Sequence, residues 1–389
     1  MHKKRVMFIF GTRPEAIKMA PLIKRVKAHS DIFIPIVVVT AQHREMLDQA
    51  LKPFDIKPDY DMSIMEQNQT LSSIVSKTLF GFEELSFNEK PDIVLVQGDT
   101  STTFAASLAA FYKKIPVGHV EAGLRTWQKY NPFPEEMNRK LTTAITDLHF
   151  APTQSSLENL LKEGISRSNI FLTGNTVIDA LKSVEKMPCD LKKYGIEIKK
   201  DRKIILVTTH RRESFGIPMK NTCEAIAKLV QKYRDTIEVI IPMHKNPIVR
   251  ETIENILGDL EQVQLVEPLD YVPFVHLMKS SYLILTDSGG VQEEAPSLGK
   301  PVLVLREVTE RPEAVLANTV KVVGTNQALI FKETERLLTD IDEYKMMSKA
   351  LNPYGDGKAS ERIVAALLKY FGFTDIAPEE FDYVAQKSR

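Results

Sequence analysis

IVLVQGDTSTTFAASLAAFYKKIPVGHVEAGLR, residues 93–125, sets two short apolar runs on either side of a stretch of small residues. The run Ile93-Val94-Leu95-Val96 is apolar throughout, which reads as a strand buried on both faces, and it stops at Gln97-Gly98-Asp99. Pro116-Val117-Gly118-His119-Val120 reads the same way and stops at Glu121-Ala122-Gly123. Between them, 102–112 reads as a helix with Ala105, Ala106, Ala109 and Ala110 at close-packing positions. Unalternating strands separated by a helix mean a parallel sheet covered on both faces, an α/β fold. A carboxylate where a buried strand ends either caps the next helix or is held out to a ligand. Asp99 and Glu121, followed by the Pro-bracketed pair Glu135-Glu136, leave both readings open at this point.

Working outward, Val6–Phe10 reads as the first buried strand, broken by Gly11 and Arg13. That run is too short for a signal peptide, and no run approaches the roughly 20 apolar residues of a membrane span. Thr12-Arg13-Pro14-Glu15 fits a capping box, with Pro14 in the first turn where a missing N–H costs nothing. Arg13 and Lys18 flank the start of that helix, where free N–H groups already favour an anion. In parallel sheets ligands bind beyond the carboxyl ends of the strands, and Arg13, Asp99 and Glu121 all fall there.

A chain of 389 residues is expected to hold two domains. Lys+Arg and Asp+Glu both number 51, so no global field attracts nucleic acid or a membrane surface, and an anionic ligand must be held by local arrangement. The two cysteines, Cys189 and Cys223, make no disulfide framework and no metal spacing, which points to a reduced, cytoplasmic setting. The first unit is expected to finish near Thr173, followed by a charged, irregular stretch over 185–202. A second α/β series begins at Ile204 and reaches His210-Arg211-Arg212-Glu213-Ser214 at the end of its first strand.

Asp287-Ser288-Gly289-Gly290-Val291-Gln292-Glu293-Glu294 is the most chemically specific short segment: a buried strand, a Ser-Gly-Gly turn and a helix start. Glycines there let a backbone approach a ligand with N–H groups aimed at it, which suits a phosphate. Glu294, one turn on, is placed to accept from a ribose diol. Arg13, Lys18, His210 and Arg311 strengthen the anion reading. No G-x-G-x-x-G and no G-x-x-x-x-G-K-[ST] occurs. Asp59-Tyr60-Asp61 and Asp340-Ile341-Asp342 have the spacing of a metal–nucleotide clamp but read as surface turns. A diphosphate bound without metal or nicotinamide cofactor is the expectation.

GTRPEAIKMAPLI, QGDTSTT, GHVEAGLR, PFPEEMNR, TGNTVIDAL, THRRESFG, DSGGVQEEAPSLGKPVLVLR, TERPEA and NPYGDGKASERI together resemble the non-hydrolysing UDP-N-acetylglucosamine 2-epimerases, over about residues 5–372. The resemblance implies the GT-B architecture, two Rossmann-like parallel-sheet domains facing across a cleft that closes on UDP. It divides the chain into 1–173 with the acids, 174–358 binding UDP, and 359–389 returning to the first domain. It implies interconversion of UDP-GlcNAc and UDP-ManNAc in the cytoplasm by a homodimer, supplying cell-surface polysaccharide. Carried over, Ser288, Gly289, Gly290 and Arg311 hold the diphosphate, Glu294 the ribose, and Phe274 the uracil through its backbone. Arg13 and Lys18 reach the phosphates from the first domain. Asp99, Glu121, Glu135 and His210 take the catalytic positions, and Glu136 is structural. Leu269 stands where relatives often have Gln. An effector pocket for a second UDP-GlcNAc is implied by Gln42, His43, Arg211 and His244, weakened by Glu45 and Asn68.

With no carbonyl beside C2 and no nicotinamide, the chemistry left is elimination of UDP to 2-acetamidoglucal and re-addition. That route needs carboxylates near C1 and C2 and a group to receive the departing diphosphate. The competing readings are a GT-B glycosyltransferase, and a non-catalytic sugar-nucleotide sensor that leaves the acids unexplained.

Overall fold

The computed structural model describes residues 2–40, 44–64, 66, 69–211 and 214–383, with the side chains of 44–46 outside the description. The chain forms two compact units, one of residues up to Ser183 together with Tyr354–Asp382, the other Val184–Pro353.

The first unit opens with β1 (Lys4–Phe10), α1 (Arg13–Ala28), β2 (Phe33–Val39), α2 (Arg44–Leu51) and β3 (Tyr60–Asp61). It continues through α3 (Leu71–Glu89), β4 (Ile93–Gln97), α4 (Ser101–Tyr112), β5 (Val117–Val120) and α5 (Glu135–Ile145). Then follow β6 (Leu148–Ala151), α6 (Gln154–Lys162), β7 (Ile170–Leu172) and α7 (Thr176–Val184). Its seven strands run in the order β3-β2-β1-β4-β5-β6-β7, and every pair is parallel. Val6 to Phe10 are all fully buried, as strands covered by helices on both faces require. At Gly118 a Cβ would stand 2.5 Å from Leu95 Cδ2 and 3.1 Å from Phe150, so only glycine lets β5 lie between these side chains.

The second unit holds β8 (Lys203–Thr208), α8 (Ile217–Lys232), β9 (Ile237–Pro242), α9 (Pro247–Leu257), β10 (Val263–Val266), α10 (Tyr271–Ser280) and β11 (Leu283–Thr286). After it come α11 (Gly289–Glu294), β12 (Val302–Val304), α12 (Pro312–Leu316), β13 (Val320–Val322), α13 (Gln327–Thr339) and α14 (Ile341–Ser348). Its six strands are ordered β10-β9-β8-β11-β12-β13, again all parallel. The last helix, α15 (Ala359–Tyr370), packs against α1 and so completes the first unit.

Two expectations change. The boundaries at 173 and 358 move to Ser183 and Tyr354, because α7 and residues 354–358 are fastened to the first unit. Asn175 N–H donates to Tyr354 O at 2.7 Å, and the Asp179 carboxylate takes the first N–H groups of α15, from Ala359 (3.1 Å) and Ser360 (2.8 Å). Asp59-Tyr60-Asp61 is no surface turn either. Tyr60 and Asp61 form the edge strand β3 beside Val38 and Val39, and Asp59 Oδ2 accepts the Val37 N–H at 2.7 Å. Asp340 caps α14 through the N–H groups of Asp342 and Glu343. Among the described residues no group of His, Cys, Asp and Glu is arranged to hold a metal, and no helix is long and apolar enough to cross a membrane.

Candidate active site

Both sheets reverse their winding direction once. In the first the reversal lies between β1 and β4, in the second between β8 and β11. Chains leaving such neighbouring strands turn to opposite faces and leave a crevice at the carboxyl edge. Arg13 follows β1 and Asp99 follows β4, while His210 follows β8 and Asp287-Ser288 follow β11. The residues singled out by sequence thus sit at the switch point of each unit.

In the first unit Gln97 and Val120 are in register on β4 and β5, which brings the turns carrying Asp99 and Glu121 side by side. Asp99 Oδ2 accepts from Arg139 Nε at 3.0 Å and Nη2 at 2.7 Å, and its backbone carbonyl accepts from Asn138 Nδ2 at 2.9 Å. Both donors lie on α5, so the first turns of that helix stand over Asp99. Glu121 has φ +65°, a strained backbone for a side chain of its size and a mark of a constrained site. Its carboxylate is buried and receives Lys18 Nζ at 2.6 and 2.8 Å, Gln97 Nε2, and Asn175 Nδ2 at 3.4 Å.

Glu135 is the first residue of α5, and its Oε2 is buried with no donor among the described residues. Glu136 beside it is fully buried and structural. It accepts the backbone N–H groups of Thr126 and Trp127 at 3.0 Å each, and Arg139 Nη1 at 3.3 Å. Arg125 pins the same loop to Glu163 (2.9 and 2.6 Å) and Thr143 (2.8 Å).

In the second unit Ser288 precedes α11, with Gly289 and Gly290 opening the helix. A Cβ on Gly289 would meet Arg311 Nη2 at 3.7 Å, so the guanidinium stands over the glycine turn. Arg311 is held there by Glu293, Nε to Oε1 2.5 Å. Glu294 accepts from Tyr271 OH at 2.7 Å, and burial followed by that carboxylate pushes the phenol well above its ordinary range. His210 Nδ1 lies 3.0 Å from Asp287 Oδ1. Burial pushes the Asp287 carboxyl up, but His210 and the N–H groups of Arg211 and His210 outweigh it and leave it below its usual value.

Lys18 is paired with Glu121 of its own unit at 2.6 Å. Phe274 N–H donates to Asp270 O at 3.0 Å within α10, and a base contact through that N–H has to break this bond. Arg13 is exposed at the start of α1. Arg211 and His244 lie at the carboxyl edge of β8 and β9, with His244 stacked on His210 at 6.2 Å between ring centroids. Burial, then His210, holds His244 below its ordinary value. Gln42, His43, Asn68 and the Glu45 side chain lie outside the described residues.

Sequence reasoning missed the supporting residues Gln97, Arg139, Asn175, Tyr271 and Asp287. It also credited Glu15 only with capping α1. The buried Glu15 takes Thr12 N–H (2.7 Å) and Gly11 N–H (3.1 Å) on one oxygen, and Thr100 (2.7 Å) and Thr103 (3.1 Å) hydroxyls on the other. It ties the start of α1 to the start of α4, next to Asp99. Burial pushes its carboxyl above the usual range against those hydrogen bonds.

Residues 24–368 match the family described as UDP-N-acetylglucosamine 2-epimerase. The UDP-N-acetylglucosamine 2-epimerase of Bacillus subtilis is 55% identical over 383 residues, 98% of this chain and 99% of that one. A crystal structure of UDP-GlcNAc 2-epimerase from Neisseria meningitidis bound to UDP-GlcNAc superposes with a TM-score of 0.86 at 51% identity, covering 94% of this chain and all of the other. The glycotransferase of kitacinnamycin shares only the fold, with a TM-score of 0.63 at 9% identity over 94% of this chain and 99% of that one. Family match, near-full-length identity and two parallel-sheet units of GT-B type agree, and the chain belongs to the UDP-N-acetylglucosamine 2-epimerase family.

Proposed function

We propose that the chain interconverts UDP-GlcNAc and UDP-ManNAc by eliminating UDP and adding it back, with Asp99, Glu121 and Glu135 around the sugar and His210 beside the diphosphate. The observation that carries this reading is the unequal treatment of the three acids. Asp99 faces Arg139 and Glu121 faces Lys18, whereas Glu135 keeps a buried oxygen without a donor among the described residues. We assign that oxygen as the base for the carbon-bound proton. In the elimination the C2–H proton passes to it, the C–H electron pair forms the C1=C2 bond, and the C1–O pair leaves with UDP. The two charge-paired carboxylates stabilise the cation-like C1. Recombination adds the diphosphate oxygen back to C1 and delivers a proton to C2 from the other face. Ser288, Gly289, Gly290 and Arg311 hold the diphosphate, Glu294 the ribose, and Arg13 adds charge.

The test is UDP-GlcNAc alone with the enzyme in deuterated water, followed by NMR. Solvent deuterium at C2 with UDP-ManNAc appearing is the expected result. A glycosyltransferase produces neither, and a hydrolysing epimerase releases free ManNAc and UDP.

Three finer features belong to the same reading: cytoplasmic operation, supply of N-acetylmannosamine units to cell-surface polysaccharide, and a homodimer. The dimer is supported by exposed aromatics on two neighbouring helices, Phe80 (74%) and Phe87 (80%) on α3, Phe111 (56%) and Tyr112 (67%) on α4. Arg211 and His244 contribute to binding a second, activating UDP-GlcNAc.

A further inference from the structure

We propose that Asp287 is the positioning residue for His210, fixing which imidazole nitrogen carries the proton. Asp287 follows β11 and is fully buried. One oxygen, Oδ2, accepts three donors from the turn after β8: the N–H groups of His210 and Arg211, each at 2.9 Å, and Ser214 Oγ at 3.1 Å. Three donors on one oxygen fix the plane of the carboxylate and leave the other, buried and with no aligned hydrogen bond among the described residues, 3.0 Å from His210 Nδ1. A carboxylate beside Nδ1 keeps the proton of the neutral ring there and leaves Nε2 as the nitrogen that exchanges a proton with something outside the protein. The His210 side chain is 41% exposed, so that nitrogen is reachable. The neighbouring ring does not compete, since His244 Nδ1 is occupied by the Asn246 N–H at 3.2 Å.

The catalytic meaning of this arrangement rests on the reading of His210 given above. There, the doubly protonated ring gives its Nε2 proton to the diphosphate oxygen that receives the C1–O electron pair and is left neutral with its proton on Nδ1, and re-addition of that oxygen to C1 returns the proton to Nε2. Asp287 keeps its own charge throughout and touches no substrate. The residue also directly precedes Ser288, so the histidine turn and the glycine turn share one buried anchor.

Asp287→Asn discriminates sharply. The Asn oxygen must still accept the His210 and Arg211 N–H groups, which turns its NH₂ towards the ring and forces Nδ1 to become the acceptor. The full-length enzyme is labelled with ¹⁵N-histidine and its nitrogen shifts are read at alkaline pH, with His210 assigned from His210→Gln. Wild type is expected to show a protonated Nδ1 and a bare Nε2, and Asp287→Asn the reverse. Turnover should fall about 10²–10⁴-fold with KM and UDP affinity little changed. Adding Asp287→Asn to His210→Gln should cost little more. A wild-type His210 protonated on Nε2, or a tautomer unmoved in Asp287→Asn, overturns the proposal. If Asp287→Asn does not fold, the wild-type tautomer decides alone. A fully active His210→Gln sinks the catalytic role of His210, while the nitrogen shifts still judge Asp287.

Discussion

Asp99 and Glu121 each face a cation at 2.6–2.7 Å while Glu135 meets none among the described residues, so isosteric amides at the three sites should fail in different ways. Asp99→Asn, Glu121→Gln and Glu135→Gln are each expected to lower kcat by about 10²–10⁴-fold with the fold intact by circular dichroism. Near wild-type rates in all three would remove the acids from the mechanism. Glu135→Gln should lose solvent-deuterium exchange at C2 along with turnover, because the group that takes the carbon-bound proton is gone. Arg211 and His244 are testable by the reverse reaction: pure UDP-ManNAc should lag until trace UDP-GlcNAc is supplied, and Arg211→Ala should lengthen that lag. No lag in the wild type would reduce both residues to lining. At this scale the sequence displayed the acids, because a carboxylate after an unbroken apolar run is visible in one dimension. It hid their partners, because Arg139 lies 40 residues from Asp99 and Lys18 lies 103 from Glu121. Nothing local marks such pairs. Lys18 read as a phosphate ligand because a lysine near a helix start suits an anion, while its pairing with Glu121 is visible only in the fold.

The loop between β5 and α5 is held less by its own turns than by two charged side chains, Glu136 and Arg125. Glu136→Ala strands the N–H groups of Thr126 and Trp127 and removes one of the two carboxylates around Arg139. We expect a loss of about 1–3 kcal/mol in stability, a higher KM for UDP-GlcNAc, and faster tryptic cleavage at the exposed Lys129. Unchanged proteolysis and KM would show the loop to be fastened elsewhere. Long buried elements such as β1, β4 and β8 were legible because four or five apolar residues in succession admit few alternatives. The short strands were not. β7, β12 and β13 have three residues each, and β6 interrupts four with His149, so each is defined by its neighbour in the sheet rather than by its own pattern. β3 is shorter still, two residues recruited by the edge of β2.

Across the whole molecule, the most consequential buried groups outside the site are His119 and His149, register partners on β5 and β6. Burial holds His119 down at about 4 and His149 down at about 3, against an ordinary 6.5. The unfolded chain takes up these protons near pH 6.5 and the folded one does not. Stability is therefore fully present above 6.5 and is lost as pH falls towards 4 and below, on the order of 3 kcal/mol per histidine. Urea midpoints measured from pH 7 down to 4 should drop steeply, and His149→Phe should flatten the curve; a flat wild-type profile would contradict the buried neutral pair. The same scale gives the order of assembly. The first unit lacks α15 until the last tenth of the chain exists, since Asp179 waits for the Ala359 and Ser360 N–H groups and Leu172 O for Phe381 N–H at 2.8 Å. On the ribosome the segment made first is thus finished last, and 184–353 closes while the preceding 183 residues stand open. Nascent chains stalled after residue 353 should yield a protease-resistant second unit and a digestible first. Chaperone demand during synthesis should then concentrate on the amino-terminal half.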